Sequence, residues 1–157
     1  MPIVRAADAV VHDMHGSRFC SYAAPALGSK ELCAWRLEVP PGSRGIPHTV
    51  TREEVLFVLG GTLHVSLSGA PANAKAATAE GAPEAATAEG APEAATAEGA
   101  REAATAAGVG DAVVVPAGSM LRVDNPGDEP ASAWVTTSTG LEAVLADGSR
   151  VAPPWTR

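Results

Sequence analysis

Hydrophobic and polar positions alternate along this chain in short runs cut by glycine and proline, and no helical period is sustained. Residues 31–39, ELCAWRLEV, place Cys33, Trp35, Leu37 and Val39 on one side and Leu32, Ala34, Arg36 and Glu38 on the other. That is the pattern of a strand with one buried face. Residues 54–59 and 62–67 read as a hairpin closed by Gly60-Gly61, a dipeptide suited to a two-residue primed turn. Cross-strand partners share a face. The register therefore groups Glu54, Leu56, Val58, Leu63, Val65 and Leu67 on one side, with Val55, Phe57, Leu59 and His64 on the other. Both sides are apolar, so both are expected to be covered, one by a barrel interior and the other by a neighbouring element or a second subunit. Further strands are expected at 112–115, 120–123, 131–137 and 141–145, with weaker edge strands at 9–11 and 17–22. The tail APPWTR cannot continue a central strand because of its prolines. Many short strands with regular turns predict an all-β sandwich or barrel.

A repeat interrupts this pattern. EGAPEAATA begins at Glu80 and again at Glu89, and EGAREAATA follows from Glu98. A glycine in every unit breaks any helix, and there is no large apolar side chain to bury. Residues 76–107 are therefore read as a low-complexity, disordered insertion between two strands. With six Glu and one Arg the insertion carries −5 of the formal −7, leaving −2 for the rest. No Lys/Arg cluster could follow a phosphate backbone, which argues against nucleic acid as a partner. No run has the length of a membrane helix, and the opening MPIVRAADAVVHD lacks an apolar leader. The expectation is one cytoplasmic domain of 157 residues, with Cys20 and Cys33 as free thiols.

Two stretches hold the candidate chemistry: PGSRGIPHTVTREEVLFVLGG, residues 41–61, and GDAVVVPAGSMLRVDN, residues 110–125. They resemble the two motifs of the cupin superfamily, G-x5-H-x-H-x3/4-E-x6-G and G-x5-P-x-G-x2-H-x3-N. Laid on this chain, the first falls on Gly42, His48, Val50, Glu54 and Gly61, and the second on Gly110, Pro116, Gly118, Leu121 and Asn125. The resemblance covers about residues 32–135 outside the repeat. It implies an all-β fold, a single cupin-type jelly-roll β-barrel over residues 1–157 with the repeat as a long disordered loop insertion.

The framework positions match and the ligand positions depart. In metal-dependent cupins three His and one Glu hold a divalent metal; here Val50 and Leu121 occupy two of the His positions, leaving His48 and Glu54. A catalytic metal site typically keeps three protein ligands. No metal or other cofactor is expected, and one that bound would fall on His48 and Glu54. His64 lies on the opposite face from Glu54, and His12 and His15, three apart on a strand, face opposite ways. His48 and Glu54 are thus the candidate catalytic acid/base pair, in a pocket walled and dried by Val50, Leu121, Leu56 and Val123. Arg36 and Trp35 are candidate substrate contacts, Arg36 for a carboxylate or enolate if it faces the pocket, the alternative being an outward, solvated Arg36. Trp35 and Trp134 also fit as core or pocket wall. Three functions remain open. The first is metal-independent proton transfer on a small organic molecule, isomerase-, epimerase- or cyclase-like, in a biosynthetic pathway. The second is a non-catalytic small-molecule-binding or sensory module, and the third a metal-dependent oxygenase with an atypical ligand set. Val55, Phe57 and Leu59 predict a homodimer.

Overall fold

The computed structural model describes residues 3–69 and 104–157. Twelve strands follow in chain order among them: β1 (Val10–Met14), β2 (Ser17–Ala23), β3 (Leu32–Val39), β4 (His48–Val50), β5 (Glu54–Gly60), β6 (Leu63–Ser68), β7 (Thr105–Ala107), β8 (Ala112–Val115), β9 (Met120–Asp124), β10 (Ala131–Ser138), β11 (Ala143–Val144) and β12 (Arg150–Val151). They form two antiparallel sheets of six, ordered β1-β2-β3-β10-β5-β8 and β12-β11-β4-β9-β6-β7. The buried core joins both sheets through Trp35, Leu37, Leu56, Val58 and Val135 from the first and Val50, Leu63, Val65 and Leu121 from the second. This is the all-β architecture expected from the alternation and the jelly-roll β-barrel that the motif resemblance implies, with almost no helix among the described residues.

Successive strands cross between sheets: β3 to β4, β4 to β5, β5 to β6 and β8 to β9 all change layer. That corrects one expectation. β5 and β6 are not a hairpin, because β5 pairs with β10 and β8 while β6 pairs with β9 and β7. Gly60-Gly61 is instead the corner that carries the chain from one layer to the other. Gly61 has φ +68, and a Cβ there would stand 2.7 Å from the Pro130 carbonyl oxygen and 2.8 Å from Ala131 Cα. Only glycine fits a corner so close to another backbone. The primed hairpin lies elsewhere, at His15-Gly16. There φ is 53 and 79, and Met14 pairs with Ser17 across the turn.

The inward and outward sets of β5 are nevertheless those the alternation indicates, since a strand's own period decides them. Glu54, Leu56 and Val58 are buried, whereas Val55, Phe57 and Leu59 are 37 %, 43 % and 44 % exposed. Among the described residues nothing covers that outer face. β3 follows the same rule: Cys33, Trp35, Leu37 and Val39 are buried and Arg36 is exposed.

Three boundaries also shift. β1 and β2 run further than the weak signals suggested, and the strand expected at 141–145 shortens to Ala143–Val144. The insertion ends earlier than its composition implied. The repeat up to residue 103 lies outside the described residues, but its last residues form β7, where Leu63 pairs with Ala107 and Val65 with Thr105. Small Ala and Thr side chains serve at this sheet edge, and the adjacent strand supplies the hydrogen bonds that composition cannot foretell.

The second motif closes the barrel's other corner. Asn125, 1 % exposed, donates from Nδ2 to the carbonyls of Val39 (3.0 Å) and Glu129 (2.8 Å), and its Oδ1 accepts from Gly127 N–H (3.1 Å). Its backbone N–H reaches Ser43 O at 2.9 Å, so this one residue ties the end of β3, the first motif and the turn before β10 together. Gly118 N–H donates to Val50 O and Val50 N–H to Ser119 O, which stitches the second motif to β4 beside His48.

Candidate active site

Between the sheets lies a cavity of about 190 Å³. Glu54 enters it as the first residue of β5, paired to Thr137 and Val115 in the two neighbouring strands. Strand alternation that sends Leu56 and Val58 into the core sends Glu54 there as well. Its side chain is 5 % exposed, and among the described residues no hydrogen bond or ion pair reaches the carboxyl group. Burial without a partner pushes its pKa up from 4.5 to about 7. The charged form loses its hydration and gains nothing in return.

His48 opens β4 and lines the same cavity, half-buried. Its Nδ1 stands 2.9 Å from the Ile46 carbonyl oxygen, so Nδ1–H donates there and the neutral ring keeps Nε2 as its basic nitrogen. Among the described residues no hydrogen bond or ion pair joins His48 to Glu54. The two share a cavity as separate groups. Val50, Leu56, Leu121 and Val123 all line it, and so does Trp35. Arg36 does not. Adjacent residues of a strand point to opposite faces, and with Trp35 inward Arg36 lies outside, 3.4 Å from Glu38 and paired across strands with Trp134 and Cys20. The expectation that Arg36 contacts substrate is corrected accordingly. His64 likewise lies outside the cavity lining, on β6 opposite Asp124.

The fold family can carry a divalent metal, and the donor set here does not suit one. Among the described residues no group of three or more His, Cys, Asp and Glu side chains is placed to hold an ion. The two motif positions that would complete a shell are Val50 and Leu121, which line the same cavity and carry no donor atom.

Among the lining residues that sequence reasoning missed are Met14, His15, Phe19, Glu142 and Trp155. His15 arrives through the primed turn, and its pairing with Gly16 in one dipeptide was the available signal. Glu142 sits beside β11 and pairs with Arg150 at 2.9 Å. Trp155 had no signal, because the prolines before it rule out a strand without saying where the tail goes. The tail turns through Pro154–Thr156 and buries Trp155 against Phe19, with ring centroids 3.7 Å apart and planes within 10°. Ser21 Oγ donates to Trp155 O at 2.8 Å, and Cys33 Sγ to Thr156 O at 3.4 Å. Cys20 and Cys33 are both free.

Solved structures with the same architecture differ in what they do. An RmlC-like cupin from Shewanella frigidimarina superposes with a TM-score of 0.57 at 14 % identity, over 87 % of this chain and 88 % of that one. The polyketide cyclase RemF from Streptomyces resistomycificus gives 0.61 at 14 % identity, over 97 % and 82 %. Drosophila melanogaster CENP-C bound to CAL1 gives 0.58 at 12 % identity, over 87 % and 85 %. At such identities the likeness is one of fold. No curated protein matches the sequence. The Cupin family model matches residues 17–153, which takes in both motifs and the cavity between the sheets. The chain belongs to the cupin family.

Proposed function

We propose that the barrel processes a small, mainly apolar organic molecule by metal-independent proton transfer, as isomerases, epimerases and cyclases do, with Glu54 as the acid/base group. One observation carries this reading: a single carboxyl group, buried and unpartnered, faces a cavity whose other walls are largely hydrocarbon. A structural carboxylate is normally hydrogen-bonded or paired. This one is left available, and with a pKa of about 7 it can both give and take a proton near neutrality. His48, with Nε2 free of a proton in its neutral form, supplies a second polar contact on the same substrate. A cytoplasmic enzyme of a biosynthetic pathway fits this chemistry and the free thiols.

The test uses acetophenone as probe, since its methyl protons are acidified by the carbonyl. Glu54 carboxylate removes one, the electron pair moves onto the carbonyl oxygen as enolate, and return of a solvent deuteron restores the ketone. In D2O with EDTA present, NMR should show exchange about tenfold or more above buffer, lost in Glu54→Gln. Exchange that EDTA abolishes and added metal restores would favour the metal-dependent reading. Binding without exchange would favour a second reading, a non-catalytic binding or sensory module, supported by the lack of a bond between His48 and Glu54.

The same proposal includes a homodimer. Val55, Phe57, Leu59 and Val114, the last 55 % exposed, share an outer face with Trp134 and Thr136, and none of these side chains is charged. Arg36, opposite Trp134 on the same face and paired with Glu38, borders this patch, and a second copy can cover its uncharged part. Edge strand β8, bonded on one side only, adjoins it. Sedimentation at micromolar concentration should give a dimer, and Phe57→Lys a monomer.

A further inference from the structure

Three features of the cavity bear on what it admits. It is small: at about 190 Å³ it only modestly exceeds the roughly 150 Å³ apolar cavity that accepts one benzene ring. No Lys or Arg lines it, Glu142 at its rim is already paired with Arg150, and the carboxyl of Glu54, where ionised, would repel an anion. Three aromatic side chains, Phe19, Trp35 and Trp155, stand along one part of its wall, with Trp155 stacked on Phe19 and tilted against Trp35 at 6.2 Å.

The indole N–H groups of Trp35 and Trp155 are buried beneath this wall and open no surface to the cavity. The wall is therefore hydrocarbon on its cavity side, and the group that can meet a ligand oxygen is the unpartnered Glu54 carboxyl in its protonated form. Trp155 is also unlike the other walls in how it is held. The sheets fix Trp35 and Phe19 on central strands, whereas Trp155 rides on the tail that follows β12. That tail is anchored by Ser21, Cys33 and a backbone bond from Ala26 N–H to Arg157 O at 3.3 Å. Removing the indole would leave every strand pair intact and lengthen the cavity.

Building on the proposed function, we infer that the site takes an uncharged, planar, single-ring aromatic molecule bearing an acceptor oxygen, and that Trp155 sets its size limit. Sugars and other polyols do not suit it, because most of their hydroxyl groups would face hydrocarbon. Carboxylates and phosphates do not suit it for want of a cation. A phenol or an aryl ketone matches on size, planarity and charge, and stacks on the aromatic wall.

Isothermal titration of the full chain with acetophenone, cyclohexyl methyl ketone, benzoate and 1-acetonaphthone tests this. Acetophenone should bind at least about tenfold more tightly than its saturated analogue and than the two-ring ketone, with no heat from benzoate. Trp155→Ala should reverse the order of the one- and two-ring ketones. Trp155→Phe, which keeps the stack and serves if the alanine variant fails to fold, should weaken the preference without reversing it. Equal binding of the flat and saturated ketones, or a size preference unchanged in both Trp155 variants, would overturn the inference. So would binding of benzoate. The two readings fail separately. If acetophenone binds as expected yet Glu54→Gln exchanges deuterium as well as the wild type, the ligand class stands and the acid/base role falls. If no aryl ketone binds while proton exchange on an aliphatic ketone needs Glu54, the ligand class falls and the acid/base role stands.

Discussion

Asn125 and Glu54 are both polar, both almost fully buried, and both at positions the two motifs specify, yet their surroundings are opposite. Asn125 has three side-chain hydrogen bonds, to the end of β3 and to the 127–129 turn, and with its backbone bond to Ser43 it joins three segments. Glu54 has none among the described residues, and its pKa rises to about 7 as a result. The difference separates what holds the barrel from what the barrel holds. A satisfied buried amide contributes to stability and fixes a corner. An unsatisfied buried carboxyl costs stability, and such a cost is characteristic of sites kept for binding or chemistry.

The largest effect is expected at the satisfied corner. Asn125→Ala strands two carbonyls and an N–H in a buried turn, and should lower unfolding free energy by about 4 kcal/mol, as read from denaturant melts. Gln does not rescue it, because its longer chain cannot place the amide on the same three partners. If Asn125→Ala cost under about 1 kcal/mol, the corner would be held by backbone geometry alone and the contrast with Glu54 would collapse.

The unsatisfied carboxyl should show the opposite sign. Its folded pKa lies above the unfolded value of 4.5, so folding favours the protonated form. Below about pH 4.5 both states are protonated and there is no penalty. As pH rises through 4.5 to about 7 the unfolded chain ionises more readily, and above 7 the folded state is penalised by about 3 kcal/mol. Glu54→Gln should therefore raise stability at pH 8 by up to about 3 kcal/mol, change little at pH 4.5, and flatten the profile between them. Chemical melts across that range decide it. A variant less stable than wild type at pH 8 would mean that Glu54 has a stabilising partner in solution.

How far these features were legible follows from the physics of each. Strand alternation revealed both faces of β3 and β5, because a period of two is a property of the backbone itself. It could not reveal which strand pairs with which, so Gly60-Gly61 read as a hairpin turn although it is a corner; only the approach of Pro130 and Ala131, seventy residues away in sequence, distinguishes the two. Motif spacing located His48, Val50, Glu54 and Leu121 around one cavity. Composition said nothing of Trp155, whose position depends on long-range bonds to Ser21 and Cys33. Alternation already put Arg36 on the face opposite Trp35, and its place among the candidate contacts rested on its chemistry alone.

The smallest effect is expected far from both residues, at the insertion. β6 and β7 are antiparallel neighbours, with Val65 opposite Thr105, so the chain must return to its starting point between Gly69 and Ala104 whatever lies between. Deleting residues 74–100 leaves β7 intact and enough chain to turn. It shortens the loop severalfold, and closure entropy should then raise stability by about 2 kcal/mol at most. Removing residues 105–107 as well should instead destabilise, since Leu63 and Val65 would lose their edge partner and buried Ala107 would go with it. Thermal melts of the two deletions, made side by side, separate a spacer from a structural strand. If the shorter deletion were the more damaging of the two, the repeat would contribute packing of its own, and the alanine-rich composition would have misled about where the fold's contacts end.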